Sequence, residues 1–280
     1  MSSPRTNPPA SAPRLLGLAL ASILLGSCGT PEPLVPAGPG SGPSAEPTPT
    51  GRIDPATLAP SGPTALAAPP RVASHPVQDQ LLAVTTHRFK SQGIAFTVLT
   101  FDQRQFHLRV LDNEMGPGTG ARTARKAAHT LGGVAAINGG FFTPEGSPLG
   151  LVIENGTRIG GINRSSLGAG IYFHESGTRR SGLVRRERWL QDGPPHPESL
   201  LQSGPLLLEH GRAVPGLSTS RPRPRSFLVW NGRSGWALGH SASTSLAGLA
   251  SALASQAIPG FTAKSALNLD GGSSADLWIG

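Results

Sequence analysis

The residues most suited to chemistry lie near position 270, where an apolar run ends in a carboxylate. Residues 266–270 read Ala-Leu-Asn-Leu-Asp, and two glycines and two serines follow Asp270. Such a pattern places one acid at the end of a buried strand, and the glycines let backbone N–H groups approach an anion closely. It is typical of one wall of a sugar or phosphate site, although a tight turn after a strand has the same sequence.

Two further segments share this design of an apolar strand that runs into polar and glycine residues. Residues 133–138 lead into Asn138, which is followed by two glycines and two phenylalanines. Residues 201–208 form another apolar run, which a Ser-Gly-Pro turn interrupts at 203–205. Three strands that each end in a polar residue and glycine predict three strand ends that meet at one cleft.

The first 28 residues have the pattern of a lipoprotein signal peptide. Arg5 and Arg14 precede an apolar run over residues 15–25, which is short for a membrane span. The run stops at small residues before Cys28, the only cysteine in the chain. This predicts cleavage before Cys28 and lipidation of its thiol, which would hold the protein at a membrane. An ordinary secretory signal with an incidental cysteine is the alternative.

Residues 29–79 are predicted to be a disordered linker, and residues 80–280 the folded domain. Pro, Gly, Ala, Ser and Thr dominate the linker, and such a composition buries too little apolar surface to offset the entropy cost of folding. Its prolines favour an extended chain. We therefore expect an exported protein of the bacterial cell envelope, lipid-anchored, with its domain on the periplasmic or extracellular face.

The charge of the chain is strongly positive, with 24 Lys and Arg against 16 Asp and Glu and a net charge of +8. The simplest explanation of this positive charge is a GC-rich genome, which favours arginine. The functional alternative is attraction to anionic polymers such as phosphorylated glycans. The predicted export and the lack of a recognisable binding motif argue against nucleic acid as a partner. The sequence has neither a Gly-x-Ser-x-Gly elbow nor spaced His and Cys residues that would bind structural zinc.

The apolar patterns predict an α+β fold: a single domain with a mixed or antiparallel sheet core and a few flanking helices. Residues 93–101 and 106–112 alternate in polarity and predict a hairpin, and Asn155-Gly156 predicts another. One helix is expected over residues 121–131, before two glycines, and a second from Thr244 to about residue 254. An arginine cluster at residues 179–188 is expected to be a solvated loop.

Taken in order, these segments resemble the phosphodiester glycosidase family over roughly residues 85–280. Six segments carry the resemblance: residues 136–142, the strand 150–153 before Asn155-Gly156, residues 202–207, Arg225-Ser226 at the start of a strand, the helix after Thr244, and residues 268–274. The family often has threonine where Ser226 stands here. Because Arg221, Arg223 and Arg225 alternate with prolines, the assignment of the family's arginine to Arg225 is one of three choices.

The resemblance implies hydrolysis of a sugar-1-phosphodiester at the glycosidic carbon, in a surface or extracellular glycan. Asp270 would be the catalytic carboxylate, as nucleophile or as base for water, with Arg225 as phosphate clamp and Asn138 orienting substrate oxygens. Bacterial members of the family are often described as exopolysaccharide-associated. The residues expected to bind substrate are Gly139, Gly140, Phe141, Ser203, Gly204, Gly271, Gly272, Ser273 and Ser274.

A second catalytic group is not evident from the sequence. Glu154 and Asp276 are expected in solvent, Glu145 lies in a loop that could reach the cleft, and His240 is expected to be satisfied or exposed. The sequence shows no sign of a required cofactor. A divalent cation that bridges Asp270 and a phosphate is left as an open alternative. A non-catalytic glycan-binding lipoprotein for exopolysaccharide handling is the alternative function, and cleavage at phosphorus is a third.

Overall fold

The structure is a computed structural model that describes residues 84–112, 123–178 and 180–280, together with the backbone of residues 14–19. The predicted linker and Cys28 lie outside the described residues, as does the predicted signal peptide apart from the strand at 14–19. In the part of the chain that the structure describes, no helix is long and apolar enough to cross a membrane.

The described residues form short strands and three α-helices. The helices are α1 (Ala124–Leu131), α2 (Arg186–Asp192) and α3 (Leu246–Ala254). The strands are β1 (Arg14–Ala19), β2 (Thr85–Ser91), β3 (Ile94–Asp102), β4 (Phe106–Leu111), β5 (Ala135–Ile137), β6 (Val152–Glu154), β7 (Thr157–Ile159), β8 (Gly170–Glu175), β9 (Arg180–Arg185), β10 (Ser199–Ser203), β11 (Leu206–Glu209), β12 (Arg212–Ala213), β13 (Arg223–Trp230), β14 (Gly235–Thr244), β15 (Ser265–Asn268) and β16 (Leu277–Ile279).

Two antiparallel sheets dominate the fold. One has seven strands in the order β12-β11-β15-β13-β14-β3-β2, and the other has five in the order β7-β6-β10-β8-β9. Two smaller pairs complete it, the parallel pair β1–β4 and the antiparallel pair β16–β5. The prediction of a single α+β domain with a mixed or antiparallel sheet core is confirmed.

The core lies between the two large sheets, with a second apolar layer under α3. Side chains from both sheets meet in the first layer, for example Leu228 of β13 and Leu201 of β10. Because alternate residues of a strand point to opposite faces, Phe227 and Val229 lie on the other side of β13 and pack with Leu249 of α3. The seven-stranded sheet is therefore covered on both faces, which accounts for the apolar run 227–229.

The predicted hairpin of residues 93–101 and 106–112 is wrong in its pairing. Both segments are strands, but β3 pairs with β2 and β14, whereas β4 pairs with β1. The corner at Asp102 carries the chain out of the seven-stranded sheet. Its carboxylate accepts hydrogen bonds from the N–H and guanidinium of Arg104 and from the hydroxyl of Ser234 on the neighbouring turn. This corner stops the two strands from folding back on each other.

Helix α1 ends at the predicted glycine, whereas α1 and α3 both begin later than predicted. The Thr123 hydroxyl accepts the N–H of Lys126 at the start of α1, and Gly132 ends that helix in the left-handed region with φ +63°. Helix α3 begins one residue later than expected, because Ser245 caps it through the N–H of Gly248. The arginine cluster was wrongly predicted as a loop, since its described members lie in β9 and α2.

Replacement of Asp102 by asparagine tests the corner. Burial raises the pKa of Asp102, but hydrogen bonds from Arg104 and Ser234 outweigh it and leave the pKa below the ordinary value. The folded protein therefore binds this proton more weakly than the unfolded chain, so the carboxylate stabilises the fold above the unfolded pKa of about 3.9 and loses that effect as pH falls through the folded pKa.

We expect Asp102→Asn to lower the free energy of unfolding at pH 7 by about 1–3 kcal/mol, with a smaller difference below about pH 4. Urea unfolding at both pH values measures it. The control is Asp192→Asn, at an exposed ion pair with Arg188. An Asp102→Asn effect that is equal at pH 7 and pH 3 would contradict the assignment of the stabilisation to the charged carboxylate.

Candidate active site

The ends of β5, β10 and the strand that leads to Asp270 meet at one place. The side-chain N–H of Asn138, just after β5, donates to the backbone oxygen of Asp270 at 2.7 Å. The hydroxyl of Ser203, at the end of β10, donates to the backbone oxygen of Asn268 at 3.0 Å. Three segments that are far apart in the sequence are thus joined by side-chain to backbone hydrogen bonds.

Asn138 fixes both ends of the Asp270 loop, which we define as residues 270–276. Its Oδ1 accepts the N–H of Asp276 at 3.0 Å, while its Nδ2 donates to Asp270 as described above. The N–H of Asp270 in turn donates to the oxygen of Gly139 at 3.0 Å. Asn138 is only 1% exposed, so the amide that we expected to orient substrate oxygens is engaged by the loop itself. It acts here as a positioning residue.

Ser203 and Gly204 lie beneath the loop. Ser203 is fully buried, and the side-chain N–H of Asn268 donates to the oxygen of Gly204 at 2.9 Å. A Cβ at Gly204 would lie 2.2 Å from the oxygen of Ser166, so only glycine fits there. Gly140 is similarly close to β10, since a Cβ would lie 3.0 Å from the oxygen of Gln202. These positions support the site from below through close packing.

Gln202 connects several loops through its side-chain amide, a role that the sequence did not predict for it. Its Oε1 accepts the N–H groups of Leu151 and Asn163, both at 2.9 Å. Its Nε2 donates to the oxygens of Asn163 and Gly168 at 2.7 and 2.8 Å. The signal was present in the sequence, because a glutamine inside the apolar strand β10 must find hydrogen-bond partners when it is buried.

The carboxylate of Asp270 stands in a partly buried, positively charged setting. Its Oδ1 accepts the N–H of Gly271 at 2.8 Å. Burial raises the pKa of Asp270, while hydrogen bonds from Ser274 and Gly271 and the charges of Arg223 and Arg225 oppose that rise. Burial prevails, so the pKa lies above the ordinary value. A carboxylate of this kind is suited to exchange protons during a reaction.

Two arginines of β13 flank Asp270, and they differ in burial and in hydrogen bonding. Arg225 is 9% exposed; its Nε donates to the oxygen of Thr244 at 3.1 Å and its Nη2 to the oxygen of Arg221 at 3.2 Å. Burial and the charge of Arg223 lower the pKa of Arg225, and Asp270 opposes this. Arg223 is exposed and lies along Gly272, where a Cβ would be 3.6 Å from its Cδ. Arg225 is therefore the fixed cation, and Arg223 the outer one.

The glycines after Asp270 let the loop lie flat against these arginines. A Cβ at Gly271 would lie 2.9 Å from the oxygen of Pro224 and 3.8 Å from Nη1 of Arg225. Gly272 has φ +68°, a conformation that favours glycine, and it begins a 3₁₀ turn over residues 272–274. The remaining predicted binding residues lie at the edge: Ser273 is exposed, whereas Ser274 and Phe141 are half-buried.

The second carboxylate near Asp270 is Asp276, which was wrongly expected to lie in solvent. It is half-buried, and its Oδ2 accepts the N–H of Ala124, the first residue of α1, at 2.8 Å. Since one amide, that of Asn138, holds the backbones of Asp270 and Asp276, the two residues are neighbours. The strand alternation that suggested solvent for Asp276 misleads, because β16 begins only at Leu277.

His240 of β14 lies close to Asp276. Burial lowers the pKa of His240, and the charge of Asp276 opposes this. The imidazole is therefore mainly neutral at pH 7. His240 stands opposite Ser226 in the sheet, and the buried hydroxyl of Ser226 has no hydrogen-bond partner among the described residues. The sequence indicated that His240 would face the interior, since it lies on the same strand face as the core residues Leu238 and Trp236.

The other acids considered from the sequence have different positions. Glu154 was expected in solvent but is 1% exposed; its Oε2 accepts the N–H of Asp112, and burial raises its pKa. Glu145 is exposed in its loop. Within the described ranges, no group of three or more His, Cys, Asp or Glu side chains is arranged to hold a metal ion.

Comparison with known proteins agrees with this geometry. The family model described as phosphodiester glycosidase matches residues 132–280, just over half of the chain. The chain belongs to the phosphodiester glycosidase family. The matched region contains Asn138, Ser203, Arg225 and Asp270. Family membership and fold together support a glycosidase-type hydrolase.

One solved structure has a fold similar to that of this chain, and a second was matched more weakly. The catalytic domain of zebrafish N-acetylglucosamine-1-phosphodiester alpha-N-acetylglucosaminidase, auto-inhibited by its pro-peptide, is 17% identical with a TM-score of 0.50, over 70% of this chain and 72% of that one. A hypothetical protein from Synechocystis is 17% identical with a TM-score of 0.49, over 69% of this chain and 57% of that one. A sequence search of curated proteins gives no significant match.

The two hydrogen bonds by which the Asn138 side chain holds the backbones of Asp270 and Asp276 form what we call the Asn138 clamp. Replacement of Asn138 by aspartate tests this clamp, because a carboxylate has no N–H to donate to Asp270. We expect Asn138→Asp to lower the free energy of unfolding by about 1–3 kcal/mol, because a buried acceptor loses its donor. Amide hydrogen exchange at Asp270 and Asp276 should become faster. The control Gln256→Ala removes another side-chain amide, which holds the N–H of Ala263. Unchanged exchange in the Asp270 loop of Asn138→Asp would show that the clamp does not hold the loop.

Proposed function

We propose that the protein hydrolyses a sugar-1-phosphodiester of a surface or extracellular glycan, at the bond between the anomeric carbon and the phosphate oxygen. The observation that carries this is a carboxylate of raised pKa, Asp270, on a glycine-rich loop between two arginines. The zebrafish structure with the same fold is that of an N-acetylglucosamine-1-phosphodiester glycosidase, which supports the substrate class.

The phosphate is bound by Arg225 and Arg223. Two backbone carbonyls, of Thr244 and Arg221, already hold the guanidinium of Arg225, so it needs little reorganisation when an anion arrives. Its Nη1 lies on the side of Gly271, where a phosphate oxygen can approach without a side chain in the way. Arg223 closes on the phosphate from the solvent side. Guanidinium groups suit this task because their planar N–H pairs match two phosphate oxygens.

Asp270 acts on the water that attacks the sugar. A proton passes from the water to the carboxylate, the water oxygen bonds to the anomeric carbon, and the bond from that carbon to the phosphate oxygen breaks. The bonding electrons leave with the phosphate, which becomes a phosphomonoester on the acceptor. The negative carboxylate also stabilises the positive charge that develops on the sugar. The raised pKa of Asp270 makes it a stronger base than an ordinary aspartate.

His240 and Asp276 form the second proton-handling pair in this proposal. The imidazole is held neutral by burial, so at pH 7 it can donate one hydrogen bond and accept another. Its position beside Asp276, whose backbone shares the Asn138 clamp with Asp270, supports a contact with a sugar hydroxyl. Because phosphate leaves readily, no strong acid is required on the leaving side.

The cellular setting follows from the sequence alone. We propose export, cleavage before Cys28, lipid anchoring to the bacterial cell envelope and a linker over residues 29–79 that spaces the domain from the membrane. The reaction as proposed requires no cofactor, because Arg223 and Arg225 supply the positive charge that a divalent cation would bring. Nucleic acid is not a partner in this proposal.

The direct assay uses a methyl-capped N-acetylglucosamine-1-phosphodiester in oxygen-18 water with a metal chelator present. We expect free sugar and methyl phosphate, with the label in the sugar. Asp270→Asn should lower kcat/KM by about 10²–10⁴-fold, the usual contribution of a general base. Asp192→Asn, on the exposed face of α2, is the matched control with unchanged turnover.

Three outcomes of that assay would contradict the proposal. Label in the phosphate means cleavage at phosphorus, and an absolute need for added divalent cation means that the arginines are not sufficient. Binding of the substrate without turnover would favour the alternative of a glycan-binding lipoprotein.

The pH dependence of kcat/KM provides a further test. Since burial raises the pKa of Asp270, the acid limb should lie above the ordinary aspartate pKa of about 3.9, and activity should fall as pH drops through the raised value. Arg223→Gln removes a charge that lowers this pKa, so the limb should move to higher pH. Arg158→Gln, at an exposed arginine elsewhere on the surface, is the control. A limb that moves equally in both variants, or not at all in Arg223→Gln, would contradict the role of Asp270.

A further inference from the structure

A groove of about 850 Å³ lies away from the Asp270 loop. One side is formed by β9 and α2, and the other by β11, the turn after β13 and the start of β15. Trp230 at its base is five residues from Arg225 on the same strand, which is roughly 17 Å of extended chain. No residue of the Asp270 loop lines the groove. The volume is within the range of small-molecule and oligosaccharide-sized sites.

The indole of Trp230 provides a fixed aromatic surface in this groove. Its Nε1 donates to the oxygen of Arg233 at 2.7 Å, and its ring stacks on Trp236 with 5.7 Å between centroids and 22° between planes. These two contacts determine the orientation of a side chain that is only partly buried. A fixed, partly exposed aromatic face, supported by the buried side chains of Leu206 and Leu208, is suited to the apolar face of a sugar ring.

The charge around Trp230 is positive and incompletely neutralised. Arg185 pairs with Glu209, with Nε 2.7 Å from a carboxylate oxygen. Arg233 and Lys264, by contrast, form no ion pair with any residue that the structure describes. Both lie next to Gly232, where a Cβ would be 3.3 Å from Cγ of Lys264. Two cations on one side of an aromatic surface attract an anionic ligand.

We propose that this groove, the Trp230 groove, binds a segment of acidic polysaccharide. A sugar ring stacks on Trp230, and its carboxylate or phosphate groups contact Arg233 and Lys264. A single aromatic surface above aliphatic side chains fits a sugar better than a nucleic acid strand, whose successive bases require several stacking partners. The net charge of +8 favours the approach of such a polymer. This binding does not depend on the chemistry proposed for Asp270.

Titration of the full-length protein with a hexameric oligogalacturonate, followed by tryptophan fluorescence, tests the proposal. We expect a saturable change that neutral maltohexaose does not give and that salt weakens. Arg233→Gln/Lys264→Gln should weaken binding about tenfold, since it removes both cations beside the indole. Trp230→Phe should remove most of the fluorescence change. Thermal unfolding of each variant confirms that it is folded.

The matched control is Arg88→Gln/Lys90→Gln, which removes the same two charge types from the exposed edge strand β2. Equal weakening by both double variants would mean that only net charge matters and would overturn the proposal. Equal binding of maltohexaose, or tighter binding of a single-stranded DNA of the same charge, would overturn the assignment to an acidic glycan. Binding should persist in Asp270→Asn, which separates failure of this site from failure of the catalytic proposal.

Discussion

The candidate site depends on one buried side-chain amide. Asn138 accepts from the N–H of Asp276 and donates to the backbone oxygen of Asp270, so it holds both ends of a glycine-rich loop that has little rigidity of its own. Ser203 and Gln202, both on β10, continue this support by holding the segments beneath. In the proposed reaction this loop provides the catalytic carboxylate, and the buried hydrogen bonds beneath it fix its position.

Two opposing effects set the electrostatics of the loop. Burial raises the pKa of Asp270, while Arg223, Arg225 and the hydrogen bonds of Gly271 and Ser274 limit the rise. The same arginines would bind a phosphodiester, so an arriving anion would neutralise them and favour a further rise in the pKa of Asp270. Substrate binding and the basicity of the carboxylate would thereby be coupled, with Asp270 a stronger base when the proposed site is occupied.

The sequence predicted local features better than long-range ones. The polar strand ends at Asn138, Ser203 and Asp270 could be recognised because an apolar run that ends in a polar residue and glycine is a local pattern. The pairing of β3 with β14 could not, because it joins segments far apart in the sequence, and the corner at Asp102 likewise depends on the distant Ser234. The nearness of His240 to Asp276 could not be predicted for the same reason, since only the fold places a residue of β14 beside the last strand.

Direct observation of a bound substrate fragment tests the central claim that Asp270, Arg223 and Arg225 form one catalytic site. A crystal structure with N-acetylglucosamine 1-phosphate should place the phosphate within hydrogen-bond distance of both guanidinium groups and the anomeric carbon towards the carboxylate of Asp270. A phosphate that binds only in the Trp230 groove, or a sugar whose anomeric carbon faces away from Asp270, would contradict the account.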